Sequence, residues 1–140
     1  MPIRPRPSAL VIAACSVLLL SGCGGGENLQ SVSGVVTCDG TPLTQGSVRF
    51  VPDTSKGNTA KTEPAGTIGS DGKYSVLTDG KSGAPAGWYK VSVASGIIPE
   101  SSKPNVNKAP FAAKYSNPET SGLSVEVKAG GSYDLKVSAK

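Results

Sequence analysis

No histidine occurs anywhere in the 140 residues, and that absence excludes more than any other. Without an imidazole there is no Ser-His-Asp or Cys-His nucleophile system and no imidazole-ligated zinc, and no side chain remains whose ordinary pKa lies near neutrality. Aromatic residues are scarce at 5%, with one Trp, and charged residues make up only 17%. Cysteine is limited to Cys15, Cys23 and Cys38. Helical patterning is missing too, since no stretch holds a 3.6-residue apolar stripe over three turns. Gly and Pro are abundant, at 18 and 11 residues, which points to turn-rich β structure. The length suits one domain.

Arg4 and Arg6 precede an apolar run from Ala9 to Leu20 that ends in small residues, the pattern of a cleaved export signal. Its twelve residues span about 18 Å as a helix, against a hydrocarbon core of about 30 Å, so a membrane-spanning anchor is excluded on length. The segment that follows, Leu20-Ser21-Gly22-Cys23, resembles the lipobox of bacterial lipoproteins. That resemblance implies removal of residues 1–22 as a signal peptide and lipidation of Cys23, with a diacylglyceryl thioether and usually an amide-linked acyl chain. At about 0.8 kcal/mol per buried CH₂, one chain holds a protein marginally, whereas two or three hold it stably. Gly24, in place of Asp at that position, resembles lipoproteins passed on to the outer membrane of two-membrane bacteria. The expected location is therefore the outer membrane, on its periplasmic or surface face.

Loss of Arg4 and Arg6 with the signal takes the 14 cations to 12 against 10 carboxylates, so the net charge falls from +4 to +2. The remaining lysines stand singly, with no basic run and no aromatic interleaving, and nucleic acid has no electrostatic footprint to meet. With Cys15 removed and Cys23 acylated, Cys38 is the one thiol left and no internal disulfide forms. Its place in an alternating apolar run marks Cys38 as a small buried hydrophobe rather than a reactive nucleophile. Residues 23–31 read as the lipidated Cys followed by a flexible Gly-rich tether. Residues 24–31 reach at most about 28 Å, which keeps the domain, residues 32–140, near the bilayer.

From Val32 onward apolar residues recur with period two. The clearest strand is Leu123 to Lys128, with Leu123, Val125 and Val127 on one face. Tyr133 to Ser138 repeats the design with Tyr133, Leu135 and Val137 inward, and the Ala129-Gly130-Gly131 link between them predicts a hairpin. Earlier strands are expected at Val32–Cys38, Ser47–Pro52 (Val48 and Phe50 inward, Arg49 outward), Gly66–Gly69, Lys73–Thr78 (Tyr74 and Val76 inward) and Trp88–Ala94 (Tyr89, Val91 and Val93 inward, Lys90 and Ser92 outward). Seven short strands in about 110 residues favour an all-β, two-sheet sandwich. Two segments fall outside the pattern, Asp53–Ala65 and Gly96–Ser121. Loops of such length are either functional or mobile. In the second, Ile97-Ile98-Pro99 and Phe111 suit either packing against a sheet edge or core end, which we favour, or a functional contact.

Three Asp-Gly pairs, at Asp39, Asp71 and Asp79, raise the possibility of calcium, but a calcium loop clusters several oxygen ligands at alternate positions. Here each Asp stands alone beside a Gly, which is turn chemistry, and no metal site or cofactor is expected. A paired-carboxylate glycosidase site needs two acids about 5–9 Å apart in a cleft, whereas these carboxylates sit in turns and on outward strand faces. No catalytic residue is expected. Among the aromatics, Tyr89 belongs to an inward face. Trp88, at a loop-strand junction, and Tyr115, in the long loop, are the better exposed candidates for contact with a sugar or a partner protein.

Taken in order, Val32-Ser33-Gly34-Val35-Val36-Thr37, Asp39-Gly40-Thr41-Pro42-Leu43, Gly46-Ser47-Val48-Arg49-Phe50, Ser70-Asp71-Gly72-Lys73-Tyr74 and Gly87-Trp88-Tyr89-Lys90-Val91 resemble the carboxypeptidase regulatory-like (transthyretin-like) modules. The wording is closest to small planctomycete lipoproteins, which tend to carry a segment like Pro110-Phe111-Ala112-Ala113-Lys114-Tyr115 before a Ser-Gly-Leu strand. The resemblance spans nearly all of residues 32–138. It implies a prealbumin-like, seven-stranded antiparallel Greek-key-like β-sandwich and no enzymatic activity. The related hydroxyisourate hydrolases use His residues and a Tyr-Arg-Gly-Ser-like tail. This chain has no His and ends Val137-Ser138-Ala139-Lys140, so no functional residue carries over. The leading expectation is a membrane-anchored lipoprotein with a structural or protein-interaction role at the cell envelope, meeting partners through strand edges or the long loop. The alternative is a carbohydrate or envelope-ligand module around Trp88 and Tyr115, and a hydrolase ranks third.

Overall fold

A computed structural model describes residues 28–96 and 109–140. The predicted export signal, Cys23 and Ile97-Ile98-Pro99 lie outside the described residues.

Period-two sequence builds a mostly β structure. Its strands are β1 (Leu29–Gln30), β2 (Ser33–Cys38), β3 (Thr41–Pro42), β4 (Ser47–Pro52), β5 (Ala65–Thr67), β6 (Lys73–Ser75), β7 (Leu77–Thr78), β8 (Lys81–Ser82), β9 (Ala84–Pro85), β10 (Gly87–Ala94), β11 (Leu123–Val127) and β12 (Leu135–Val137). Among the described residues the helical pieces are two 3₁₀ turns, Thr54–Lys56 and Ala113–Ser116. One sheet runs β11-β10-β4-β5-β7-β8. A second runs β12-β2-β3, with β6 also on β2, and β1 pairs with β9 alone. Several antiparallel sheets around one core are consistent with a β-sandwich-like fold.

Register fixes which residues share a face. On the first sheet Val91 stands opposite Phe50 on one side and Leu123 on the other, and Val93 stands opposite Val48. Phe50, Val48, Tyr89, Val91 and Val93 are each 0% exposed. Their counterparts are Val36, Leu135 and Val137 from the second sheet and Val32 just before β2, all buried. Phe50 links the layers: its ring meets Tyr74, next to β2, at 6.3 Å between centroids and Tyr89 edge-on at 5.9 Å. The predicted inward residues are thus buried or half-buried. Ser92, expected outward, is buried too, on a strand against which the Ala113–Ser116 turn packs.

Asp-Gly turns form where expected. Asp39-Gly40 joins β2 to β3 and Asp79-Gly80 joins β7 to β8, in each case with two consecutive positive φ angles (48° and 87°, 48° and 79°). This is the type I′ geometry that two-residue hairpins require. At Asp71-Gly72 the Asp71 carboxylate accepts from the Lys73 amide at 3.0 Å.

Three expectations are corrected. The hairpin predicted from residues 123–128 and 133–138 does not form: β11 pairs with β10 in one sheet, and β12 pairs with β2 in the other. The Tyr133 side chain is the reason. Its phenol accepts from the Lys128 amide at 2.9 Å and donates to the Lys128 carbonyl at 3.1 Å, occupying the backbone groups a hairpin partner would need. The Tyr133 amide meanwhile donates to the Ser33 carbonyl at 2.9 Å, which delivers the chain to the other sheet. The sheets are also not wholly antiparallel, because β12 lies parallel to β2. Finally, β1 falls inside the stretch read as a flexible tether: Leu29 and Gln30 form a strand paired with Ala84–Pro85, and a two-residue strand is too short to show alternation.

The long loops are structured where they are described. Phe111 and Tyr115 are buried, 4% and 8% exposed, and belong to the core. The Ala112 amide donates to the Ser138 carbonyl at 2.8 Å, so this segment ties the chain beyond β12 to β10, which supports the packing reading of Phe111.

Candidate functional site

The half-buried side chain of Trp88 sits at the start of β10, beside the loop of residues 53–60. Asp53 opens that loop. Its carboxylate accepts from the Ser55 amide at 3.1 Å and from the Ser55 hydroxyl, capping the 3₁₀ turn Thr54–Lys56. The hydroxyl bond, aided by the nearby Lys90 and Lys56, holds the Asp53 carboxyl below the ordinary carboxylate range despite the opposing effect of burial. Gly57 then reverses the chain at φ 82°, a left-handed conformation that glycine adopts without cost.

The loop grips the backbone of Trp88. The Trp88 carbonyl accepts from the Asp53 amide at 2.9 Å and from Asn58 Nδ2 at 2.7 Å. Asn58 Oδ1 accepts from the Ala60 amide at 2.9 Å, so the buried Asn58 amide group is used at both ends. Gly87, at φ 145°, leaves the space in which Asn58 lies. Lys56 is thereby placed with Nζ 4.0 Å from the Trp88 ring centroid and donating to Ser124 Oγ at 3.1 Å. An ammonium over an indole face is a cation–π contact. Lys56, Asn58, Thr59, Pro85, Ala86 and Trp88 surround a shallow cavity of about 320 Å³. Nearby on the same strand, Lys90 Nζ pairs with Glu119 at 2.7 Å, and that bond raises the Lys90 pKa.

Trp88 and Tyr115 are not brought together as exposed partners. Tyr115 is buried, its ring edge-on to Phe111 at 6.3 Å between centroids and its hydroxyl 3.2 Å from Ser138 Oγ. This corrects the expectation of exposure: the loop that carries Tyr115 forms a 3₁₀ turn over the core. The residues brought together around Trp88 are Lys56 and Asn58, which form the candidate surface. Sequence reading passed over Lys56 and Asn58 because they lie about thirty residues before Trp88. The Asp53-Thr54-Ser55 start of an Asx-capped turn is the signal that marks an ordered loop there.

The described residues line other concavities as well. A groove of about 690 Å³ runs between β5 and β6–β7 past Gly66, Tyr74 and Leu77, the last 47% exposed. An apolar cavity of about 340 Å³ is lined by Cys38, Leu43, Ser95 and Pro110. Cys38 is half-buried rather than fully buried, and its thiol lies 3.4 Å from the Pro110 carbonyl. Burial, with Asp39 adjacent, pushes that thiol pKa up and away from nucleophilic reactivity. Among the described residues no three His, Cys, Asp or Glu side chains are grouped as a metal site.

Comparison with known proteins places no relative beside this chain: no family model, no curated protein and no solved structure matches it.

Proposed function

We propose that the chain is a membrane-anchored lipoprotein whose non-catalytic β-sandwich module serves a structural or protein-interaction role at the cell envelope. Residues 1–22 are the signal, Cys23 carries the lipid, and the outer membrane is the destination. The observation that carries the reading is the position of Leu20-Ser21-Gly22-Cys23, with Cys23 six residues ahead of Leu29 in the first described strand. A lipidated Cys on a short Gly-rich lead into an autonomous domain is the arrangement that lipid anchoring needs.

The finer architecture, a seven-stranded Greek-key-like prealbumin sandwich of the carboxypeptidase regulatory-like kind, is part of the proposal. Its support is that strands β2, β4, β6 and β10 coincide with segments carrying the resemblance. Several carboxylates have structural work: Asp53 caps a turn, Asp71 closes one, and Asp134 accepts from the Val35 amide at 3.0 Å. That use favours an interaction module over a hydrolase.

Growth of full-length protein with a labelled fatty acid tests the anchor. Label should enter the wild type and be absent from Cys23→Ser, which should also keep residues 1–22. Label persisting in Cys23→Ser, or missing from the wild type, would refute the reading. The cavity beside Trp88 favours a second reading, a carbohydrate or envelope ligand. Glycan-panel binding by the detergent-solubilised protein, lost in Trp88→Ala, would establish it, and no signal above background would remove it.

A further inference from the structure

The chain's own geometry says which end of the domain meets the bilayer. From Cys23 to Leu29 there are six Cα steps, at most about 22 Å of chain whatever its conformation. A domain of about 100 residues has a radius of gyration of about 13 Å, or a diameter of about 34 Å. The tether is therefore shorter than the body it holds, and Leu29 stays near the surface in which the acyl chains are buried.

Leu29 is fixed to the site described above. It pairs with Pro85 across the β1–β9 ladder, and Pro85 is also a wall of the Trp88 cavity, with Lys56, Asn58 and Thr59. Only three Cα steps separate Pro85 from Trp88, about 10 Å at full extension. The membrane-proximal end thus carries the chain's single Trp, half-buried, with the exposed Lys56 ammonium over its ring. Lys81, three residues before the Ala84 that pairs with Gln30, is exposed on β8, at the other edge of the first sheet. The nearby carboxylates are Asp53, whose amide donates to the Trp88 carbonyl and whose carboxyl Lys56 and Lys90 act on, Asp79, in the β7–β8 turn next to Lys81, and Glu126, opposite Trp88 in the β10–β11 ladder and 3.7 Å from Lys128 Nζ.

We propose that this end docks on the lipid headgroup layer, with the Trp88 indole at the interface and Lys56 toward phosphate. Indole rings favour that depth because they are apolar with one polar N–H, and ammonium groups reach lipid phosphates on long apolar stems. The inference rests on the acylation of Cys23 proposed above and adds the orientation of the domain.

Because Trp88 is the only tryptophan, its fluorescence reads the contact directly. The acylated full-length protein is placed in phosphatidylethanolamine–phosphatidylglycerol vesicles whose acyl chains are brominated either near the headgroup or near the chain end. Shallow bromines should quench Trp88 about twofold and deep bromines hardly at all, as for interfacial indole, with iodide access reduced relative to detergent solution. Lys56→Glu should weaken the shallow quenching. Protein that floats with the vesicles while Trp88 stays unquenched and open to iodide would overturn the orientation and leave the anchor standing. Protein that fails to float would overturn both. A soluble glycan that shifts Trp88 emission where bromolipid does not would assign the surface to sugar and overturn the proposal.

Discussion

The two sheets are assembled in different ways. In the β4–β10–β11 ladder, strands of five to eight residues pair along continuous registers, and each side chain's face follows from its neighbour's. In the second sheet β2 is shared in pieces among β6, β3 and β12. Side chains patch the gaps there: Asp134 takes the Val35 amide, the Tyr74 hydroxyl donates to the Tyr133 carbonyl, and Tyr133 closes on Lys128. One sheet is held by repetition and the other by particular residues, so the two should fail differently when mutated.

The largest effect is expected where the layers meet. Phe50→Ala empties a site packed between Tyr74 and Tyr89, and a loss of about 3–5 kcal/mol is expected in chemical denaturation. A loss under about 1 kcal/mol would mean that the two faces do not share a core. Next comes the joint between sheets. Tyr133→Phe strands the Lys128 backbone groups and should cost about 1–3 kcal/mol, whereas the exposed ladder change Ser124→Ala should stay within about 0.5 kcal/mol. Equal effects from that pair would erase the distinction between the sheets. Asp134→Ala removes the partner of the Val35 amide and should cost about 1 kcal/mol, with faster amide exchange at Val35 as its local signature.

Smaller effects come from the titrating groups. Asp53 has a depressed pKa in the folded chain, so its ionised form stabilises above the ordinary carboxylate range and that contribution is lost as pH falls through the folded value. Thermal unfolding of Asp53→Asn should therefore depend less on pH in acid than the wild type, and an unchanged acid limb would remove Asp53 from the account. At Cys38 the raised pKa predicts slower alkylation near neutral pH than a free cysteine peptide shows. Reaction at the peptide's rate would place the thiol in open solvent.

Legibility in the sequence followed the same divide. Alternation in Ser47–Pro52, Trp88–Ala94 and Leu123–Val127 identified strands and inward faces, because a half-buried strand needs period two. The two-residue strands β1, β3, β8 and β9 carry no such signal. Nor does alternation name a strand's partner: Ala129-Gly130-Gly131 looks like a hairpin link, and only the return of the Tyr133 phenol onto Lys128 sends β12 elsewhere. At the candidate site Trp88 was legible from its place at a loop-strand junction. Lys56 and Asn58 reach it through a fold-back of about thirty residues, and Tyr115 was misread because a loop position does not reveal that its side chain closes over a core.

The anchor and the placement of the domain beside a bilayer share one chemical premise, and the mass of one fragment tests it. Tryptic digestion of protein extracted from membranes releases residues 23–49, since Arg49 is the first cleavage point after Cys23. The account predicts a fragment that begins at Cys23 and carries the mass of a diacylglyceryl group, with an amide-linked acyl chain on its amine. A fragment with a free Cys23 thiol, or one still joined to the residues before it, would contradict it.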